Sequence, residues 1–265
     1  MQGFYEDFLL IFQRKRQKSS NLQGRESVIQ WKKRKEAHAM QLWNRQTAAL
    51  IPAMAMGLLG ALCRLPGWTA MAAVFALLGA VFSGLNAWRL RPWKSIPKGG
   101  RKTALQLFPA AVLALIAAVL SFSSGLLSAL LCVLTAASLA AMGWLCLQKT
   151  SHPLPHLGLT LALVLKLILD FRHWSAIPQV SDYCFRLFAL LCAIFAALYH
   201  SGLQMGIGKR RFAAFFCVLG LTLCPMAAIG AGFAELLFFL ACLLYLSSLL
   251  CLLLRTRKKR PPAAS

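Results

Sequence analysis

The stretch Leu157–Trp174, LGLTLALVLKLILDFRHW, decides how many times this chain crosses a membrane. From Leu157 to Leu169 it is apolar apart from Thr160 and Lys166, and the run stops at Asp170. A spanning helix needs about 20 mostly apolar residues. Hydropathy alone therefore rejects this segment, while the Lys and Arg residues on either side of it argue the reverse.

Seven further apolar runs, at 47–63, 68–88, 103–122, 125–147, 183–205, 212–231 and 233–254, read as spans without difficulty. If 157–174 is the fifth of eight and the N-terminus is inside, five inner segments hold ten, six, one, three and five basic residues. These are the arm 1–46, the Arg89–Lys102 loop, Lys149, the Lys209–Arg211 loop and the tail from Arg255. The outer loops then hold only Arg64 and Arg172, and Lys166 and Arg186 fall within spans. That asymmetry is what the positive-inside rule demands. Without the fifth span, the Lys209–Arg211 loop and the tail flip outward and the bias is largely lost. The sequence thus predicts an all-α integral membrane protein, a bundle of about eight transmembrane helices with both termini cytoplasmic. It divides into a basic arm (1–46), the bundle (47–254) and a basic tail (255–265).

The same segregation explains the composition. Of 265 residues 59% are hydrophobic and only 14% charged, yet the formal net charge is +22. A soluble domain is nearer 45–50% apolar and about 25% charged. So much positive charge also raises nucleic-acid binding. It is spread over five segments beside spans and interleaved with Trp31, Trp43, Trp88 and Trp93, so topology explains it and no nucleic-acid partner is expected. Nine cysteines without CxxC spacing, an odd number, argue against a disulfide framework or a zinc site. They read as small packing residues. The Phe4–Phe12 run contains Glu6 and Asp7 and is followed by Arg14, Lys15 and Arg16, which is not the order of a signal peptide. It reads as a short amphipathic helix lying against anionic lipid. Lys32, Lys33, Arg34 and Lys35 add a second basic cluster to this lipid-facing arm. The expected membrane is a bacterial-type plasma (inner) membrane, since no organelle signal is evident.

Catalytic and cofactor motifs fail one by one. Gly206-Ile207-Gly208-Lys209-Arg210 lacks the leading glycine and following Ser or Thr of a phosphate loop. His152 and His156 are separated by Pro153 and Pro155, which oppose the helical turn that would bring both rings to one metal. No catalytic residue, metal or cofactor is expected. Small residues four apart at Ala53-Gly57-Ala61, Gly79-Ser83 and Ala136-Ala140 read as packing seams. The glycine-free run 233–254 reads as a lipid-facing span. Pro52, Pro109 and Pro225 are candidate helix breaks, and broken helices mark substrate sites in transporters. Both 103–147 and 212–254 place a basic cluster before a proline-containing hairpin, which raises a duplicated four-helix unit.

Ionisable groups inside a membrane are costly and are commonly paired or functional. Spans five and six gather Lys166, Asp170, Arg172, His173, Asp182 and Arg186. Lys166 with Asp170, and Asp182 with Arg186, are four apart and so share a helix face. They predict a compact cluster near the outer rim, with His200, Glu235 and Pro225 as secondary candidates. Two functions remain open. One is a small transporter or permease, or a permease subunit, with an outward-facing polar pocket at spans five and six. Lacking a nucleotide motif, it would take its energy from an ion gradient, a protein partner or an ATPase subunit. The other is a non-transporting sensor, scaffold or assembly factor whose basic arm binds lipid headgroups or a cytosolic partner. A transporter is expected to hold a cavity lined by polar residues such as His200, Gln204 or Thr222.

Overall fold

The computed structural model describes residues 48–64, 68–89, 100–123, 125–148, 150, 152–174 and 180–254, without the side chains of 89, 173, 174 and 180–182. The arm residues Arg14, Lys15, Arg16, Lys32, Lys33, Arg34 and Lys35, and the tail from Arg255, lie outside them. All regular structure among the described residues is helical: α1 (Ala48–Arg64), α2 (Thr69–Arg89), α3 (Arg101–Ser121), α4 (Leu126–Leu147), α5 (Leu154–Trp174), α6 (Val180–Gln204), α7 (Arg210–Ala228) and α8 (Phe233–Leu254). Ala- and Leu-rich runs can satisfy their backbone groups only within the helix when no water is available. Seven of the eight, α2 to α8, are long and apolar enough to cross a membrane. The doubtful fifth run is among them, with a mean hydropathy of 1.7 over Leu154–Arg172. The shortest helix is instead α1, about 25 Å long at the usual rise per residue.

Six helices close a ring, each packed on the next: α3, α4, α5, α6, α7, α8 and back to α3. Outside it, α2 leans on α7, and α1 wedges against both through Gly57 and Gly60. Tight turns join α3 to α4 and α7 to α8 at one end of the bundle, here the turn end. Gly230 adopts φ +76° in the second of these turns, a left-handed conformation that favours glycine. The opposite end, carrying Arg101, Lys102 and Lys209–Arg211, is here the basic end.

Helix α8 does not face lipid as its composition suggests. It is 67% buried, against 22% for α2. Its consecutive residues Tyr245 to Leu250 are all buried, so along that stretch the helix is enclosed around its full circumference. Lipid tails are as apolar as a protein interior, so a helix that is apolar all round can occupy either place.

The small-residue seams of α1 and α2 do form, and of the third, Ala136 is buried and Ala140 half-buried. A Cβ on Gly57 would stand 2.7 Å from the Thr222 carbonyl oxygen, and one on Gly79 would stand 2.8 Å from Thr222 Oγ1. Thr222 of α7 is thus clasped between α1 and α2, with Ala53, Ala61 and Ser83 buried beside it. Pro52, Pro109 and Pro225 all lie inside continuous helices, so no helix is broken at them. Pro225 is instead a packing surface, with its Cγ directed at Gly57. Nor does the packing repeat as a duplicated four-helix unit would: α6 packs on α7, whereas its counterpart α2 packs on α7 rather than on α3.

Candidate functional site

The turn end holds the charged residues. On α5, Lys166 and Asp170 share a face by their spacing and pair at 3.1 Å between Nζ and Oδ2. Both are largely shielded, with side-chain exposures of 8% and 18%. The Lys166 ammonium also stands 5.2 Å from the centre of the Phe238 ring of α8, a cation–π distance.

Arg186 enters from α6 and ties three elements together. Its Nη1 donates to Glu235 Oε2 at 2.8 Å and its Nη2 to the Gly230 carbonyl at 2.5 Å. Its guanidinium lies 5.6 Å from the Tyr183 ring centre. Glu235 thus becomes a full member of the site. Arg186 reaches to α8, 49 positions along the chain, while the side chain of Asp182, which spacing places on its own helix face, lies outside the described residues. A guanidinium fork can serve a carboxylate and a carbonyl at once. On the next turn, Arg64 at the end of α1 donates to the Met226 carbonyl, so two arginines grip the α7–α8 hairpin near its tip.

Both ion pairs line a cavity of about 820 Å³. Ser121, Ser123, Ser128 and Cys132 of the α3–α4 hairpin form the facing wall. At about 1.5 Å per residue, Lys166 lies about 12 Å below the end of α5, well short of the opposite end. The cavity therefore combines opposed fixed charges, hydroxyls and one thiol, suited to a small polar or zwitterionic solute.

The other expected residues distribute as follows. Arg172 is exposed, and the side chains of His173 and Asp182 lie outside the described residues. Pro225 sits against α1. His200 and Thr222 are enclosed in the interior at 1% and 0% exposure, and neither they nor Gln204 lines the cavity. His200 packs on the His156 ring and Thr222 against Gly57 of α1 and Gly79 of α2, so neither opens into this cavity.

A second polar cluster was not expected at all. His156 Nδ1 lies 3.3 Å from the Tyr245 hydroxyl, and the rings of His156 and His200 are 4.5 Å apart. His200 Nδ1 and Gln204 Oε1, both buried, have no hydrogen-bond partner. The signal was present: His156 shares a helical stripe with Leu159, Leu163 and Lys166, all buried. His152 is exposed, so the two histidines of that motif face different surroundings. Tyr245→Phe is expected to lower stability by about 1–3 kcal/mol, the usual cost of stranding a buried polar group. Thermal denaturation of the purified protein checks it. The double variant H156F/Y245F should recover part of the loss, since no lone partner is left behind.

Among the described residues no group of three or more His, Cys, Asp or Glu could hold a metal ion, and none of the nine cysteines forms a disulfide. Comparison with family models, with curated proteins and with solved structures found no match for this chain.

Proposed function

We propose that this chain is an eight-span membrane protein with both termini cytoplasmic, and that its turn end opens outward as the binding pocket of a small transporter or permease subunit. The observation that carries the reading is the 820 Å³ cavity lined by Lys166–Asp170 and Arg186–Glu235. Four ionisable groups below the end of an apolar bundle are expensive. A polar cavity between them gives that expense a use. The plasma membrane is the proposed location, following the distribution of Lys and Arg.

A second reading rests on the same residues. The four charges satisfy one another without a ligand, as a clasp in a non-transporting scaffold or sensor would. In that case the basic arm, through lipid or a cytosolic partner, carries the function.

A thiol placed at Ser128 separates the two, because Ser128 lies in the cavity wall and is half-buried, whereas Cys132 is only 1% exposed. In a chain carrying Ser128→Cys whose native cysteines are alanine, reconstituted in liposomes, an impermeant charged thiol reagent is applied from each side in turn. A transporter is expected to react from both sides, in proportions that change with an imposed ion gradient. Reaction from the outside alone, unaltered by any gradient, supports a static outward pocket and overturns transport. Failure to react from either side overturns the pocket itself.

A further inference from the structure

At the basic end, α2 and α7 border a common cavity. Where they touch, at Gly79, an added Cβ would meet Thr222 Oγ1 at 2.8 Å; at Gly84, five residues on, it would meet nothing within 4 Å. Between this part of α2 and the start of α7 lies a crevice of about 870 Å³. Its floor and sides are Gly84, Ala87, Phe215 and Phe216. Its mouth carries Trp88 from α2 and Lys209, Arg210, Arg211 and Phe212 from the start of α7. Among the described residues no acidic side chain lines it.

The cations are held over aromatic faces. Lys209 Nζ lies 5.8 Å from the Phe212 ring centre and Arg211 Cζ 5.9 Å from that of Trp88. Phe212 and Phe216 stack in turn on Tyr199 at 5.5 and 5.7 Å, which fixes the wall against α6. Arg210 is only 7% exposed, so its charge lies within the mouth rather than in open solvent. A topology signal requires only that Lys209–Arg211 remain on one side. It does not require a cavity between two helices there, nor aromatic rings beneath the charges.

We propose that this crevice is a binding site for one anionic phospholipid. The phosphate sits among Lys209, Arg210 and Arg211, and an acyl chain lies between α2 and α7 along Gly84, Phe215 and Phe216. The two halves of the lining match the two halves of such a lipid. Basic pockets between spans bind anionic headgroups, and the slot continuous with this one is apolar, as a free phosphate or a soluble anion would not need. The site is independent of the turn-end cavity and of whether the protein transports anything.

Trp88 at the mouth is the reporter. In a variant whose other tryptophans are phenylalanine, its fluorescence is measured in mixed micelles with phosphatidylglycerol or phosphatidylcholine brominated on the acyl chains. Brominated phosphatidylglycerol is expected to quench at roughly tenfold lower mole fraction than brominated phosphatidylcholine, with saturation, because each basic residue favours an anionic lipid several-fold. Unbrominated phosphatidylglycerol should restore the signal and phosphatidylcholine should not. K209Q/R211Q should abolish the preference while K209R/R211K retains it, and Gly84→Leu should weaken quenching by filling the slot. Equal quenching by the two lipids, or unsaturable displacement, overturns the site. Restoration by inorganic phosphate alone also overturns it, in favour of a simple anion site. Should K209Q/R211Q fail to fold, the displacement measurement on the otherwise native mouth still decides.

Discussion

Lys166→Met is expected to lower the stability of the purified protein by about 3 kcal/mol, the lower end of the range for breaking a buried ion pair. The lower end applies because the Asp170 side chain keeps 18% of its exposure, so water relieves part of the stranded charge. Asp170→Leu should cost a similar amount by stranding Lys166, which then keeps only the face of Phe238. The informative variant is the double, K166M/D170L. Replacing both partners by apolar groups of similar size is commonly neutral or better, so it should be markedly more stable than either single variant. Denaturation midpoints of the four proteins form a cycle. Strict additivity would show that the pair contributes nothing as a pair. If K166M/D170L is stable yet a thiol placed at Ser128 loses its reactivity from both sides, the charges serve the cavity rather than the fold.

Gly79→Leu is expected to cost about 3 kcal/mol, toward the upper end for overpacking a closed interface, and to loosen α2 from α7. The reason is distance: even a methyl group there would press on Thr222 Oγ1, and the Thr222 hydroxyl is already committed to the Leu219 carbonyl at 2.7 Å. Gly57→Leu should behave alike, since the opposing atom is the backbone oxygen of Thr222, which cannot rotate away. Gly84→Leu supplies the control on the same helix, where nothing stands within 4 Å of the new Cβ. In neutral detergent it should leave the denaturation midpoint within about 0.5 kcal/mol of the parent, as substitutions away from packed features usually do. If Gly79→Leu and Gly84→Leu melt together, the seam around Thr222 is wrong.

Much of this architecture could be read from residues alone. All eight expected spans coincide with helices, including 157–174, where Lys and Arg placement argued for a helix that hydropathy disfavours. The i, i+4 rule also found Lys166–Asp170, because both partners lie on one helix. The partner of Arg186 was hidden for the opposite reason. Glu235 is remote in the chain, and only the packing of α6 on the α7–α8 hairpin brings it within 2.8 Å. The same holds for His156, His200 and Tyr245, contributed by three helices whose adjacency no local pattern encodes. The seat of α8 was misread because hydrophobicity cannot distinguish lipid from a protein interior. Ser247, Ser248 and Tyr245, polar groups in that run and all buried, were the better guide.

The position of α8 also sets an order of events in time. It follows α1 to α7 along the chain, yet it closes the ring on α3 and supplies Glu235, Phe238 and Tyr245 to both polar clusters. During synthesis, helices emerge in sequence and earlier ones pack first. Until α8 is inserted, Arg186 has no carboxylate from it, His156 has no phenol, and a trough lies open between α3 and α7. The seven-helix stage is therefore a defined, exposed intermediate in which membrane quality control has buried charges to detect. A stop codon before Phe233 should be punished by rapid degradation far more severely than its small share of the chain would suggest.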